Sequence, residues 1–151
     1  EYMENKEGET PAVYTIKADI ALPCATQNDI NEKTAEIMVK NGVIAVGEGA
    51  NMPTDIDAIN YFLKNGVLLA PAKAANAGGV ATSALEMSQN SMRLSWSFDE
   101  VDKKLDGIMT NIFNACKETA DEYNLGTNYV AGANIAAFKR VAGAMMAQGV
   151  I

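Results

Sequence analysis

Short apolar runs alternate with helix-like patterns over the first two thirds of the chain. Apolar residues end the segment 14–23 and fill residues 43–46 and 67–70, and a turn and a helical pattern follow each run. Three such strand–turn–helix units with short connections predict a parallel sheet with right-handed crossovers. Because the strands are apolar throughout and do not alternate, the pattern also predicts that helices cover both faces of the sheet.

Capping and terminating residues mark the ends of these predicted helices. Asp29 and Glu32 form a capping-box signature for the first helix, and Gly42 ends it. The second helix opens at residues 53–54 and reaches about residue 65. Residues 1–13, by contrast, are polar and are expected to be irregular.

The third crossover, residues 71–90, carries the most distinctive chemistry of the chain. Gly78 and Gly79 at the predicted helix entrance lack a Cβ atom, so a ligand could approach the backbone closely there. The free N–H groups of a first helical turn favour a polar or anionic ligand. The spacing of three or four residues places Val80, Ser83, Met87 and Asn90 on one face of the predicted helix, and Asn76 lies just before this face. The alternative is that the small residues only let this helix pack tightly on the sheet.

After Trp96 the pattern changes to two long helices. Ser97 and Glu100 form a second capping box, and an apolar spacing of three or four residues continues from there to about Tyr123. A last helix is predicted over residues 129–148, and the two helices are expected to be antiparallel. The fold class is therefore predicted as α/β, a parallel sheet of about three strand–turn–helix units followed by two long C-terminal helices.

Composition and charge narrow the class of protein. The chain has 151 residues, a net charge of −7 and no histidine, which argues against a nucleic-acid partner and removes the commonest general base and metal ligand. No apolar run is as long as a membrane span, and nothing resembles a secretory signal. Cys24 and Cys116 are isolated thiols without metal-type spacing, so we expect a cytoplasmic protein with no metal. The polar start at Glu1, without an initiator methionine, indicates a cut inside a longer protein or a processed end.

Polar turn residues follow each predicted strand. Ligands of an open parallel sheet bind beyond the carboxyl ends of its strands, which here carry residues 26–28, 49–51 and 73–76. Their carboxamides and hydroxyl suit neutral polar groups such as ribose hydroxyls or a nicotinamide amide. Single residues also have a structural alternative, Asn28 as a helix N-cap and Asn51 as a support for its turn.

The segment GEG at residues 47–49 resembles the start of a dinucleotide fingerprint but does not complete one. Met52 stands where the third glycine belongs, and no acidic residue stands about 20 residues further on. We therefore assign Glu48 to a turn or to the region of a helix N-cap, and not to catalysis. Lys73 and Cys24 have no activating partner visible in the sequence, so neither is assigned as a nucleophile.

Three long motifs occur in the chain, DIALPCATQN at residues 19–28, GEGANMPT at 47–54 and PAKAANAGGVATSALEMSQNS at 71–91. Together and in this order they resemble the hexameric glutamate dehydrogenases, especially the bacterial NADP-type enzymes. The resemblance runs from about residue 18 to residue 151 and corresponds to roughly the last third of such an enzyme. One departure is Ala72, where family members often carry glycine.

The resemblance implies roles for individual turn and helix residues. Cofactor contacts are implied for Ala25, Thr26, Gln27, Asn51 and Asn76. Substrate contacts are implied for Asn76, Val80 and Ser83. The Ser83 hydroxyl would hydrogen-bond the distal carboxylate of glutamate or 2-oxoglutarate.

The resemblance also implies an activity and its partners. The parent enzyme would interconvert L-glutamate with 2-oxoglutarate and ammonia through hydride transfer with NADP, and NAD is not excluded. Family catalysis uses lysines and an aspartate from another domain, so the 151-residue chain alone is expected to be inactive. The full-length protein would be a homo-oligomer, namely a hexamer.

The same resemblance divides the chain into two parts. Residues 1–97 would form a partial Rossmann-like dinucleotide-binding domain, the C-terminal half of a cofactor domain without its glycine fingerprint. Residues 98–151 would form a helical segment that packs on the cofactor domain or on the substrate domain.

Two other functions stay open at this level. A non-enzymatic interaction or assembly module of the same fold would explain why the chain carries no acid–base residues. A dehydrogenase of leucine, phenylalanine or valine is the second alternative. Ser83 favours glutamate over these substrates, because an apolar side chain would leave the serine hydroxyl unpaired.

Overall fold

The computed structural model of the chain describes residues 9–149. Its elements in chain order are a 3-10 helix (Ala12–Thr15), β1 (Ile20–Ala21), α1 (Glu32–Lys40), β2 (Ala45–Gly47), α2 (Ile56–Lys64), β3 (Leu68–Ala70), α3 (Ala72–Ala75), α4 (Ala77–Met92), α5 (Phe98–Glu122) and α6 (Tyr129–Gln148). The chain divides into two compact units, Glu1–Lys73 and Ala74–Ile151. Within the described part, no helix is long and apolar enough to cross a membrane.

The first unit is built on a three-stranded parallel sheet in the order β1, β2, β3. Ile20 lies opposite Ala45, and Val46 lies opposite Leu69. Helices α1 and α2 connect the strands, so the predicted α/β fold with strand–turn–helix units is confirmed. The predicted strand over residues 14–23 is shorter in the structure, because the backbone after Pro11 first forms the 3-10 helix.

Helices α1 and α2 pack on one face of this sheet and form its core. Phe62, Ile30 and Leu69 are fully buried. Ala35 on α1 and Ala58 on α2 are also fully buried, and their small side chains let the two helices approach each other and the strands closely.

Neither α1 nor α2 covers the other face of the sheet, so within the described part of the first unit the prediction of helices on both faces is wrong. Strand β3 alternates between exposed and buried residues, and Ile20 and Leu22 are 60% and 68% exposed. The reason is topological, since two crossovers of the same hand that add strands in one direction place both helices on one face. We call Ile20, Leu22, Leu68 and Ala70 the open sheet face.

The first helix is capped two residues later than its sequence signature suggested. Asn31 is the N-cap of α1, and its side chain accepts a hydrogen bond from the N–H of Thr34. The predicted capping box of Asp29 and Glu32 is therefore wrong, and Asp29 accepts a hydrogen bond from a tyrosine instead. Gly42 ends the helix region with φ +93°, as predicted.

The second helix also starts later than residues 53–54. Asp55 is its N-cap and accepts from the N–H of Ala58 at 2.8 Å, so α2 begins at Ile56. Residues before it are held by backbone bonds to the segment that precedes α1, namely Ile30 N–H to Pro53 O at 2.9 Å and Asp55 N–H to Ile30 O at 3.0 Å. These long-range bonds outweigh the local preference of proline for a first helical turn.

The second unit consists of α4, α5 and α6. The predicted capping box is confirmed, because Ser97 Oγ accepts from the N–H of Glu100 and the Glu100 carboxylate accepts from the N–H and hydroxyl of Ser97. These hydrogen bonds lower the pKa of Glu100 below its ordinary value. Helix α6 approaches α5 at Gly132, where a Cβ atom would lie 2.5 Å from the carbonyl oxygen of Cys116.

The expected antiparallel arrangement of α5 and α6 is wrong. Contacts pair residues in ascending order along both helices, Phe113 with Tyr129 and Glu122 with Lys139. The two helices therefore run in the same general direction where they touch. The six residues between them are enough for the chain to return along α5 before α6 begins.

The predicted irregular segment 1–13 lies mostly outside the described residues, and the 3-10 helix begins within its last part. The boundary between the two compact units falls between Lys73 and Ala74 in the sequence. The division of the chain into a cofactor part ending at residue 97 and a helical part stays a prediction.

The open sheet face leads us to expect that the isolated chain self-associates. Exposed apolar surface of this kind favours association, and lysine in such an interface would carry an unpaired charge. We expect the double variant Ile20→Lys/Leu22→Lys to raise the dissociation constant, measured by sedimentation velocity, about tenfold or more.

The matched control is Ile56→Lys, since Ile56 is 65% exposed but lies at the start of α2 and not on the open sheet face. This control should associate like the parent chain. A clean monomer of the parent chain at every concentration would contradict the expectation.

Candidate functional site

The carboxyl edge of the sheet brings two predicted cofactor turns side by side. The carbonyl oxygen of Pro23, which follows β1, accepts hydrogen bonds from the N–H groups of Gly49 at 3.1 Å and Ala50 at 2.9 Å, which follow β2. The predicted cofactor residues of the first unit lie in these two turns and are all exposed: Ala25, Thr26, Gln27 and Asn51.

The far ends of the same two turns are also joined. The N–H of Asn28 donates to the carbonyl oxygen of Met52 at 3.0 Å. Both residues have left-handed backbone conformations, with φ 56° and 55°. Asn28 is thus a turn residue and not the helix N-cap that one interpretation of the sequence suggested, and asparagine tolerates this conformation better than most residues. The two turns form one backbone-bonded platform, which we call the turn platform, residues 23–28 and 48–53.

The two glycines around Glu48 are explained by packing against β1 and its turn. A Cβ atom on Gly47 would lie 2.9 Å from Leu22 Cδ2, and one on Gly49 would lie 2.5 Å from Cys24 Sγ. The space that a phosphate-binding glycine would leave open is therefore filled by this chain's own side chains. This agrees with the absence of a complete dinucleotide fingerprint at residues 47–52.

Glu48 is buried at the centre of this edge, with 2% of its surface exposed. One carboxylate oxygen accepts from the N–H of Ala72 at 2.7 Å, and the other accepts from the N–H of Thr54 at 3.3 Å. The Glu48 carboxylate therefore joins the turn after β2, the segment before α2 and the start of α3. Glu48 thus lies in the turn after β2 and its carboxylate bonds N–H groups at or near two helix starts, which agrees with both predicted alternatives, but no local pattern indicates that it reaches Ala72.

Helix α4 carries the predicted substrate residues in the second unit. Asn76 directly precedes α4, and Val80 and Ser83 follow at spacings of four and three residues, so the three lie on one side of the helix. Val80 is 76% exposed, and Ser83 is exposed. The structure therefore presents an apolar side chain and a hydroxyl together on an accessible surface, as the spacing predicted.

The glycines of α4 differ from each other. A Cβ on Gly78 would make ordinary contact with Met109 and Leu105 of α5, whereas nothing lies within 4 Å of a Cβ on Gly79. Helix α4 begins at Ala77, as predicted, and a separate short helix, Ala72–Ala75, precedes it. The first N–H of this short helix is already taken by the Glu48 carboxylate.

In the part of the chain that the structure describes, the thiols and acidic residues show no arrangement for nucleophilic or metal chemistry. Burial raises the pKa of the Cys116 thiol and keeps it protonated, while Cys24 and Lys73 are exposed. Among residues 9–149, no three Cys, Asp or Glu side chains are grouped so that they could hold a metal ion.

A groove of about 750 Å³ runs along β1 beside the turn platform. Its lining includes Tyr14, Leu22, Cys24, Thr26 and Asp29. We call it the β1 groove. Sequence reasoning did not identify Tyr14 or Asp29 as part of a site, because the tyrosine comes from a segment read as a strand and the aspartate from one read as a cap.

Comparison with known proteins gives a consistent result. The profile of the Glutamate/Leucine/Phenylalanine/Valine dehydrogenase family matches residues 1–149. The chain is 58% identical over 145 residues to the NADP-specific glutamate dehydrogenase of Salmonella typhimurium, covering 96% of this chain and 32% of the relative. It is 58% identical over 134 residues to the NAD(P)-specific glutamate dehydrogenase of Xylanibacter ruminicola, covering 89% of this chain and 30% of the relative.

A solved structure agrees with these sequences. The glutamate dehydrogenase of Plasmodium falciparum superimposes with a TM-score of 0.87 at 50% identity, covering 91% of this chain and 30% of that one. The chain thus spans about a third of the length of the relatives that it matches.

We expect Glu48→Gln to destabilise the isolated chain by about 1–3 kcal/mol. The amide keeps one acceptor oxygen but turns an NH₂ group toward a buried N–H donor, either that of Ala72 or that of Thr54. Urea unfolding at matched concentration measures the change. Glu86→Gln on an exposed position of α4 is the control and should stay within about 0.5 kcal/mol of the parent, and an equal effect of both changes would remove Glu48 from this role.

We also expect Gly49→Ala to destabilise the chain by about 1–3 kcal/mol, because the new methyl group would overlap Cys24 Sγ. Adding Cys24→Ala should restore most of the loss, since the next contact on that residue is its Cβ at 3.7 Å. Gly79→Ala, with open space at its Cβ, should instead stabilise α4 by up to about 1 kcal/mol. Thermal unfolding of the four proteins tests the account, and a Gly49→Ala chain as stable as its parent would refute it.

Proposed function

The chain belongs to the Glutamate/Leucine/Phenylalanine/Valine dehydrogenase family, and we propose that its parent protein is a glutamate dehydrogenase. The proposed reaction is the reversible oxidative deamination of L-glutamate to 2-oxoglutarate and ammonia with a nicotinamide cofactor. The observation that carries the proposal is the turn platform, which presents exposed carboxamide and hydroxyl groups at the carboxyl edge of a parallel sheet.

The turn platform supports the cofactor part of the proposal. Ala25, Thr26 and Gln27 would contact the pyrophosphate and ribose, and Asn51 would contact the ribose on the nicotinamide side. These side chains are exposed, while the main chain beneath them is fixed by hydrogen bonds at both ends of each turn. Carboxamides can donate to and accept from ribose hydroxyls, so the residues present fit such a ligand.

Helix α4 supports the substrate part. Asn76 would contact the nicotinamide amide and the substrate, Val80 would contact the substrate's methylene groups, and the Ser83 hydroxyl would donate to its distal carboxylate. An exposed hydroxyl next to an exposed valine suits a substrate with an aliphatic stem and a polar end. A leucine, phenylalanine or valine side chain would leave that hydroxyl unpaired.

The bound reduced cofactor would supply the hydride that reduces the carbon joined to nitrogen in the substrate. In the direction of amination, 2-oxoglutarate, ammonium, a proton and reduced cofactor give glutamate, water and oxidised cofactor. The site residues of this chain bind and orient but carry no acid or base, so the proton transfers are assigned to residues of the parent protein outside it. The chain alone is accordingly proposed to be inactive.

Several further properties of the parent protein belong to the same proposal. NADP is the proposed cofactor, and a relative named for both NAD and NADP keeps NAD open. The proposed location is the cytoplasm, and the proposed assembly is a homo-hexamer.

The complete protein should oxidise reduced NADP only when both 2-oxoglutarate and ammonium are present. We expect Ser83→Val to lower kcat/KM for 2-oxoglutarate by about 10-fold to 100-fold, because the substrate carboxylate loses a donor. Affinity for reduced NADP should not change. Steady-state absorbance assays at saturating cofactor measure both values.

Ser88→Val is the matched control on the same helix, since the Ser88 hydroxyl donates to the carbonyl oxygen of Ala84 at 2.8 Å. It should leave kcat/KM within about twofold of the parent value. Equal activity of the Ser83→Val protein would remove Ser83 from the substrate role. A complete protein with no 2-oxoglutarate-dependent and ammonium-dependent oxidation would leave the non-enzymatic module of the same fold as the better account.

A further inference from the structure

A buried hydrogen bond lies in the wall of the β1 groove. Tyr14, on the 3-10 helix, is buried, and its hydroxyl donates to Oδ2 of Asp29 at 2.6 Å. The two residues are fifteen positions apart in sequence and both line the groove. Neither belongs to the contacts assigned to the cofactor or to the substrate.

Asp29 directly follows the turn that carries three of the proposed cofactor residues. That turn is anchored at its start by Pro23, whose carbonyl oxygen accepts from Gly49 and Ala50. At its end, Asn28 and Ile30 on either side of Asp29 donate to the carbonyl oxygens of the second turn. The Tyr14 hydroxyl adds a side-chain anchor at this same end, from the segment before β1.

Residues 25–27 between these anchors are exposed, so their position depends on the two ends of the turn. Loss of an anchor at the end would let the turn sample other conformations, and the cofactor would then have to order it on binding. A bond that fixes the turn before binding lowers that cost without touching the ligand.

We propose that Tyr14 and Asp29 form a positioning pair that holds the turn of residues 25–28 in its cofactor-binding conformation. This inference rests on the proposed function, and it assigns to the segment before β1 a role in cofactor affinity. The pair acts through the turn and takes no part in the chemical step.

The Tyr14 hydroxyl stays protonated, so its hydrogen bond to Asp29 does not depend on pH in the working range. Burial, followed by the hydrogen bond to Asp29, raises the pKa of Tyr14 far above its ordinary value. The phenol therefore stays protonated and remains a donor at every pH at which the protein would work. Because the pKa is raised in the folded state, the contribution of this group to stability is fully present below about pH 10 and falls only above it.

Tyr14→Phe in the complete protein removes one hydroxyl and keeps the buried ring. We expect the dissociation constant for reduced NADP, measured by its fluorescence, and the KM for reduced NADP each to rise about threefold to tenfold. We expect kcat and the KM for 2-oxoglutarate to stay within about twofold, because the substrate contacts lie elsewhere. If the pair only stabilised the fold, its loss would lower the melting temperature without a selective rise in the dissociation constant and KM for reduced NADP.

Asp29→Ala should weaken cofactor binding to a similar degree, and the double variant should be no weaker than the weaker single variant, because both changes break one bond. Tyr61→Phe is the control, since Tyr61 lies on α2 and does not line the β1 groove. If Tyr14→Phe does not fold, Asp29→Ala carries the same comparison, because alanine has no acceptor for the Tyr14 hydroxyl.

Unchanged affinity for reduced NADP in Tyr14→Phe or Asp29→Ala would overturn the inference. So would additive losses in the double variant. A parent protein that binds no reduced NADP at all would instead refute the proposed function, which keeps the two failures distinct.

Discussion

The buried carboxylate of Glu48 is the interaction on which the arrangement of the sheet edge depends. A carboxylate removed from water is costly unless hydrogen bonds replace its hydration, and here two backbone N–H groups do so. Those groups belong to Thr54 and Ala72, so a single side chain fixes the segments before α2 and at the start of α3. The turn that carries Asn51 lies between Glu48 and Thr54 and is therefore closed at both ends.

Backbone hydrogen bonds hold the rest of this sheet edge together. Backbone bonds from the second turn to Pro23 and from Asn28 to Met52 join the turns after β1 and β2 without using the exposed side chains. Gly49 permits this approach because any larger residue would overlap Cys24. The backbone of the first unit thus presents four of the proposed cofactor residues. The second unit supplies Asn76, which is proposed to contact both ligands, and the proposed substrate contacts Val80 and Ser83.

Much of this could be predicted from the sequence, because the signals are local. The apolar runs predicted the parallel sheet. Gly42 predicted the end of the first helix and the Ser97 capping box predicted the start of α5. The spacing of Val80 and Ser83 predicted that they share a helix face. The failures involve bonds between distant residues. Asp29 has the sequence signature of a helix cap, but its carboxylate accepts a hydrogen bond from Tyr14 instead. No local pattern could show that the Glu48 carboxylate reaches the N–H of Ala72.

The central claim is that the two joined turns of the platform face the cofactor, and amide hydrogen exchange of the complete protein tests it most directly. Exchange at residues 24–28 and 48–53 would be compared with and without saturating reduced NADP, with the exposed end of α6 as internal reference. The account predicts slower exchange in both turns on binding and no change in α6. Binding of reduced NADP that leaves exchange in both turns unchanged would contradict it.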